Sequence, residues 1–400
     1  MKKIAYIDHS YHKKTRSTDF LAESLKANGH HVVRFWDDSW NGGSDVSFEL
    51  VKDYDVVIMF MSLAKIQEKY YRHAHPNVIY IPMLDQFGLW LNHFSHLAPF
   101  FEPFQGSKVL NFSYSLHCVT QSLGIKSEIF RFYPSAKPLI KERKKGLHGF
   151  FWLRRESDIS WPTIRSLIEN TTFDSFHLHL ANDPDTTLNE LPDQEEIKKH
   201  NITTSTWFDS KDDFLDIQSQ ANVFFAPRMG EGIGQSFLEA MASAQCVVAP
   251  DEGTMNEYIL HGVNGLLYDG KNPRALSFEN VEFLGISARD SIRKGHEVWR
   301  QIQEKLVQYI LSESDLFYKK PFPSKEKLNP ALKQRVIFNE GFIDVDKKMP
   351  FNAYWILRQP SKATKLILRQ PFKIFIFVLF NLKFFWSRPS TGCGGPHLKV

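Results

Sequence analysis

Residues 226–269 read APRMGEGIGQSFLEAMASAQCVVAPDEGTMNEYILHGVNGLLYD. The run divides into the end of a strand, a glycine turn, a helix, a strand, an acidic turn and a short helix. Glu231 and Glu239 stand eight positions apart, with Gly232, Ile233, Gly234 and Gln235 following the first. Gly232 and Gly234 suit a backbone that turns tightly or lets a ligand come close. From Ser236 the good helix formers Leu238, Glu239, Ala240, Met241 and Ala242 follow without a breaker. Glu231 is therefore expected in the loop ahead of a helix, and Glu239 about one turn inside it. The free N–H groups and partial positive charge of the helix start between them suit a phosphate. Each residue taken singly also fits an ordinary strand-to-helix turn with a solvated Glu231. That bland reading does not account for the order of the whole run.

The order resembles the donor-site motif of the family 4 (group 1) retaining glycosyltransferases of the GT-B fold. The matching parts are Glu231, Glu239, Ala240–Met241, Val247–Val248 and the turn from Gly253 to Glu257. The resemblance implies an α/β architecture of two Rossmann-like domains facing across a cleft. It implies a nucleotide-sugar donor held mainly on the second domain. Glu239 would then accept hydrogen bonds from ribose hydroxyls, and Glu231 would orient the transferred sugar. The N–H groups of Gly232, Ile233, Gly234 and Gln235 would face the diphosphate, and Thr254 to Glu257 would complete the pocket. Family members carry an Arg and then a Lys after the first strand of the second domain. Here Arg154 or Arg155 matches the Arg, and no Lys follows before Lys198. Arg pairs bidentately with phosphate oxygens, so a second Arg is a chemically reasonable substitute. Asp85 ends the segment from Ile79 where the family often has a His-Asp pair, but Met83 and Leu84 precede it. Asp85 is read either as a contact to acceptor or donor sugar or as the cap of the next turn. On this reading Glu231, Arg154 and Asp85 carry the catalysis, and no cofactor or metal is expected.

Outward from this motif, 400 residues make room for two or three domains. Residues 1–140 alternate short apolar runs with helical stretches, as βαβ units on a parallel sheet do. Expected strands are Lys3 to Asp8, His31 to Trp36, Asp55 to Phe60, Val78 to Pro82 and Lys108 to Phe112, with a helix from Thr18 to Asn28. The first loop carries Lys13, Lys14 and Arg16, which face either the cleft or solvent. His117 follows a strand and is read as structural. Pro134 to Gly149, rich in Pro, Lys and Arg, reads as the inter-domain linker. Residues 141–316 form the second domain. Its strands are expected at Phe150 to Arg155, Ser175 to Ala181, Thr204 to Phe208 and Asn222 to Ala226, with helices from near Trp161, at Lys211 to Gln220 and at Ala288 to Leu311.

Residues 317–400 form a tail with a charge of its own. They hold sixteen Lys or Arg against four Asp or Glu, inside a chain whose net charge is only +4. Phe372 to Trp386 (FKIFIFVLFNLKFFW) is the most apolar run. As a helix it would reach about 22 Å, short of a hydrocarbon core of about 30 Å. Lys373, Asn381 and Lys383 share one side, so the segment reads as a basic amphipathic helix lying in the interface. The expected partner is an anionic membrane surface engaged through residues 361–388; a buried helix or a subunit interface is the other reading. No nucleic-acid module is present.

Cys118, Cys246 and Cys393 share no close spacing, which argues against a disulfide framework or a zinc site. Lys2 and Lys3 precede too few apolar residues for a signal peptide, so a cytoplasmic protein peripheral to the membrane is expected. The expected activity is transfer of a sugar to a lipid-linked glycan acceptor in surface-polysaccharide assembly. Three other readings stand beside it: a membrane-docked scaffold with weakened catalysis, a GT-B nucleotide-sugar epimerase, and a metal-dependent transferase. The last would use one of the Asp-x-Asp pairs at Asp53–Asp55, Asp183–Asp185 or Asp344–Asp346.

Overall fold

A computed structural model describes residues 1–39, 42–61, 75, 77–87, 101, 108–138, 144–183, 186–208 and 210–312. The chain divides into one unit, Met1–Val336, and a second, Ile337–Val400, which contains none of these residues. The basic tail and its amphipathic segment therefore lie outside the described residues. No helix among the described residues is long and apolar enough to cross a membrane.

Two six-stranded parallel sheets build the first unit. Strands β1 (Lys3–His9), β2 (His31–Asp37), β3 (Val56–Phe60), β4 (Val78–Ile81), β5 (Lys108–Asn111) and β6 (Ser127–Ile129) make the first, in the order β2-β1-β3-β4-β5-β6. Strands β7 (His148–Trp152), β8 (Ser175–His179), β9 (Ile202–Ser205), β10 (Val223–Phe225), β11 (Cys246–Pro250) and β12 (Leu266–Tyr268) make the second, in the order β12-β11-β10-β7-β8-β9. The central strands are apolar on both faces because helices cover both. All five residues of VVIMF in β3 and of CVVAP in β11 are buried. Each order reverses at one point, between β1 and β3 in the first sheet and between β7 and β10 in the second. Ligands of such sheets bind beyond the carboxyl ends of the strands at that point.

The helices, in chain order, are α1 (His12–Thr15), α2 (Asp19–Ala27), α3 (Tyr114–Ser122), α4 (Trp161–Leu167), α5 (Gln194–Lys199), α6 (Lys211–Ser219), α7 (Gln235–Ala242), α8 (Met255–Tyr258) and α9 (Val281–Leu311). The last is seven residues longer at its start than the sequence led us to expect. It runs back to the first sheet, where Lys108 Nζ donates to the carbonyls of Tyr309, Ile310 and Ser312. Tyr309 Oη donates to the Val109 carbonyl at 3.0 Å, and Asn77 Nδ2 reaches the Ile310 carbonyl.

Three local expectations need correction. The strand placed at Thr204 to Phe208 lies at Ile202–Ser205, in register with Phe176–His179. Its aromatic end leaves the sheet: Phe208 stacks on His179 at 5.2 Å, and Trp207 meets Trp152 edge-on at 5.9 Å. The linker stops short of Gly149, since β7 begins at His148, whose N–H donates to Asn222 Oδ1 at 2.9 Å. Helix α3 and strand β6 were not foreseen. The helix starts at Ser113, whose Oγ accepts from the Leu116 N–H.

Candidate active site

The two reversal points face each other, and the residues leaving them converge. Beyond β7 come Arg154 and Arg155; beyond β10 come Arg228 and the Glu231 turn. The turn is built as the sequence indicates. Glu231 lies ahead of α7, Gly234 caps the helix with φ +76°, and Glu239 sits half-buried about one turn inside. Thr254, fully buried, donates from Oγ1 to the carbonyls of Glu231 and Gly232 and so fixes the turn from the α8 side. Gly253 approaches so closely that an added Cβ would lie 3.1 Å from the Gly230 Cα. Ile233 points into the core.

Around this turn charges alternate. Arg154 Nε donates to Asp183 Oδ1 at 2.7 Å, and Arg155 Nε donates to Asp183 Oδ2. Arg228 Nε donates to Asp158 Oδ2 at 3.3 Å, and its Nη1 lies 3.5 Å from Asp85 Oδ2 on the first half. Burial pushes the Glu231 carboxyl above the usual carboxylate range; the Arg228 charge pulls it back and the Asp85 charge pushes it further. Burial also works against the Asp183 carboxylate, yet the Arg154 and Arg155 charges hold it below that range. Arg155 is lowered by burial and then by the neighbouring Arg228. Three guanidiniums and four carboxylates thus meet in one cluster, an arrangement able to take a polyanion by exchange of ion pairs.

The first half packs against this cluster. Without a Cβ, Gly232 makes room for Met83 and Asp85; an added one would lie 2.7 Å from Met83 Sδ and 3.0 Å from Asp85 Oδ1. Gln235 Nε2 donates to the Ser17 carbonyl at 2.7 Å, and Tyr11 Oη reaches Asp183 Oδ1 at 3.5 Å. The loop after β1 divides between the two readings given to it. Lys14 places its Nζ 3.7 Å from the Trp207 ring centre, whereas Arg16 is exposed and paired with Asp19.

Glu231, Arg154, Arg155, Gly232 and Asp85 are thereby brought together. Glu257 is placed otherwise: its carboxylate accepts from Ser113 Oγ, the Tyr114 N–H and the N–H and Oγ of Ser115, all on the first half. His117 pairs with Ser127 Oγ at 2.9 Å. Sequence reasoning missed Arg228, Asp158 and Tyr11, because nothing local marks them; their partners lie 70 to 172 positions away. Of the Asp-x-Asp pairs, Asp183 is engaged by two arginines and Asp55 accepts the Lys3 N–H at 2.6 Å. Asp185, Asp344 and Asp346 lie outside the described residues. Among the described residues, no group of three or more His, Cys, Asp or Glu is placed to hold a metal ion.

Residues 159–284 match the family model described as glycosyl transferases group 1. No curated protein matches the chain. Among solved structures, a sucrose-phosphate synthase from Thermosynechococcus elongatus has TM-score 0.58 at 13% identity, covering 77% of this chain and 99% of that one. HepE of Anabaena, solved in complex with UDP and glucose, has TM-score 0.55 at 12% identity, covering 76% and 99%. A glycosyltransferase from Rickettsia africae has TM-score 0.54 at 13% identity, covering 78% and 99%. The two parallel sheets and the solved structures agree that the chain has the GT-B fold, and the segment that carries the Glu231 turn and α7 is similar to the group 1 glycosyl transferases.

Proposed function

We propose that the chain is a retaining glycosyltransferase that moves a sugar, a hexose in the simplest case, from a nucleotide-diphosphate donor to a hydroxyl of a glycan acceptor. One observation carries this reading: Arg154, Arg155 and the Glu231–Gly234 turn meet where the second sheet reverses, opposite Asp85. The arginines and the N–H groups at the start of α7 stabilise the negative charge that grows on the leaving diphosphate. Donors fixed in advance where charge develops usually make a large contribution to rate. Glu231 holds hydroxyls of the transferred sugar and Glu239 those of the ribose. The acceptor oxygen bonds to the anomeric carbon on the face the diphosphate leaves, and its proton passes to the departing phosphate oxygen. The step needs no metal. HepE was solved with UDP, which makes UDP-sugars the first donors to try.

The acceptor is read as lipid-linked, in surface-polysaccharide assembly at the inner face of the cytoplasmic membrane. That part is supported by the basic aromatic sequence of residues 361–388. Thermal stabilisation of the full chain by a panel of UDP-, GDP-, ADP- and dTDP-sugars identifies the donor. Transfer in the presence of EDTA, with the product's anomeric configuration read by NMR, then tests the reaction. Glu239→Ala weakens nucleotide binding, while Glu231→Ala mainly lowers turnover. Wild-type transfer by both variants, or an inverted product, ends this reading. Removing residues 350–400 abolishes partition to anionic liposomes; unchanged partition removes the membrane part alone.

A further inference from the structure

The charge cluster contains one cation more than the sequence motif accounts for. Arg228 leaves the carboxyl end of β10, is 8% exposed, and sits close enough to Arg155 for the two charges to oppose each other. Its ion pairs are also the looser ones. Arg154 meets Asp183 at 2.7 Å, whereas Arg228 meets Asp158 at 3.3 Å and Asp85 at 3.5 Å. The longest of these pairs is the one that joins the two sheets. Asp85 accordingly uses only one oxygen on Arg228. Its Oδ1 is buried without a hydrogen-bond partner and faces the Gly232 turn. A buried acceptor left unmet is costly to the fold. A carboxylate held by one long ion pair, with its other oxygen turned toward the turn that follows Glu231, is placed to change partners.

We propose that Arg228 binds the donor diphosphate and that Asp85 is its resting counter-ion, displaced by the diphosphate and thereby released toward a sugar or acceptor hydroxyl. A diphosphate offers more charge and more oxygens to a guanidinium than one carboxylate does. Arg228 then adds a third cation to the pair formed by Arg154 and Arg155. Asp85 gains a hydrogen bond for Oδ1 only after the exchange, so donor binding also readies the first half. This inference rests on the nucleotide-sugar reading of the site.

Calorimetry on the full chain with UDP, GDP, ADP, their parent nucleosides and inorganic pyrophosphate tests it. Arg228→Gln is expected to weaken the preferred nucleoside diphosphate and pyrophosphate at least tenfold and to leave the nucleoside unchanged; Arg228→Lys recovers part of the loss. Asp85→Asn removes the competing anion and is expected to tighten the diphosphate several-fold. Equal losses for nucleoside and diphosphate in Arg228→Gln would mark a structural role and overturn the proposal, as would weaker diphosphate binding in Asp85→Asn. Should Arg228→Gln fail to fold, Arg228→Lys and Asp85→Asn carry the same two expectations. A wild-type chain that binds none of the diphosphates removes the donor reading and this role with it. Binding that ignores both substitutions removes this role alone.

Discussion

Glu257, on the second half, accepts a 2.8 Å hydrogen bond from Ser113 Oγ on the first. The same carboxylate takes the Tyr114 N–H at 2.7 Å and the Ser115 N–H at 3.1 Å, so it caps α3 from across the molecule. An anion at a helix start is favoured by the helix dipole, and loss of a cap costs about 1 kcal/mol. Glu257→Ala is expected to lower unfolding stability by about 1–2 kcal/mol, because charged hydrogen bonds add to the cap. It should also speed amide exchange in the first turn of α3, with Glu257→Gln intermediate. Unchanged exchange at Tyr114 and Ser115 would show that the link does not persist in solution.

Gly232 brings the glycine turn up against Met83 and Asp85 of the first half. The side chain of an alanine there would meet Met83 Sδ at 2.7 Å and Met83 Cβ at 2.9 Å. Overpacking of this kind typically costs about 1–3 kcal/mol. Here the Met83–Asp85 segment can move aside instead, at the expense of the site. Gly232→Ala is therefore expected to lower turnover at least tenfold with only a modest loss of stability. Steady-state rates beside unfolding midpoints check this, and a normal rate would mean that the segment stands away from the turn during transfer.

Much of this was legible because it is local. A helix that starts after Gly234, a buried CVVAP strand and the place of Glu231 ahead of α7 follow from neighbours a few positions apart. What was not legible depends on distant partners. Arg228 is unremarkable in sequence, and its meaning comes from Asp85, 143 positions earlier. Glu257 is placed in the donor pocket by the resemblance alone, and its four donors at the start of α3 are visible only in the fold. The aromatics at Trp207 and Phe208 have strand propensity, but packing on Trp152 and His179 draws them off the sheet. In each case tertiary contact outweighed local preference.

His179 gives the molecule a pH dependence that can be isolated. It is nearly inaccessible, accepts or donates at Nδ1 with Ser205 Oγ at 2.8 Å, and is pushed down to about 4 by burial and by His177. The folded chain therefore favours the neutral ring. Its contribution is complete above the unfolded-state value of 6.5 and is lost as pH falls from there toward 4. Relative to His179→Gln, the wild type is expected to lose on the order of 3 kcal/mol across that window, since each pH step is worth about 1.4 kcal/mol. His9, His75, His117 and His200 are also lowered but remain in both proteins, so the difference reports His179 together with its coupling to His177. Parallel stability curves would place the ring in contact with water.

Lys108 joins the long closing helix to the first sheet. Its side chain is fully buried and its ammonium donates to three carbonyls at the end of α9, including Ile310 at 2.8 Å. Those carbonyls belong to a last turn that has no partners within the helix, and the negative end of the helix dipole favours a cation there. Lys108→Met keeps most of the apolar stem and removes the charge. It removes three hydrogen bonds from a charged donor, while the Tyr309 carbonyl keeps Ser312 Oγ and the Ile310 carbonyl keeps Asn77 Nδ2; a hydrogen bond to a charged group contributes about 1.5–3 kcal/mol. Total stability is therefore expected to fall by about 3 kcal/mol, with Lys108→Arg recovering part of it. Urea unfolding reads the loss, and exchange at Val307 to Leu311 locates it. A large global loss without faster exchange there would mean that the lysine stabilises β5 rather than the return of the helix.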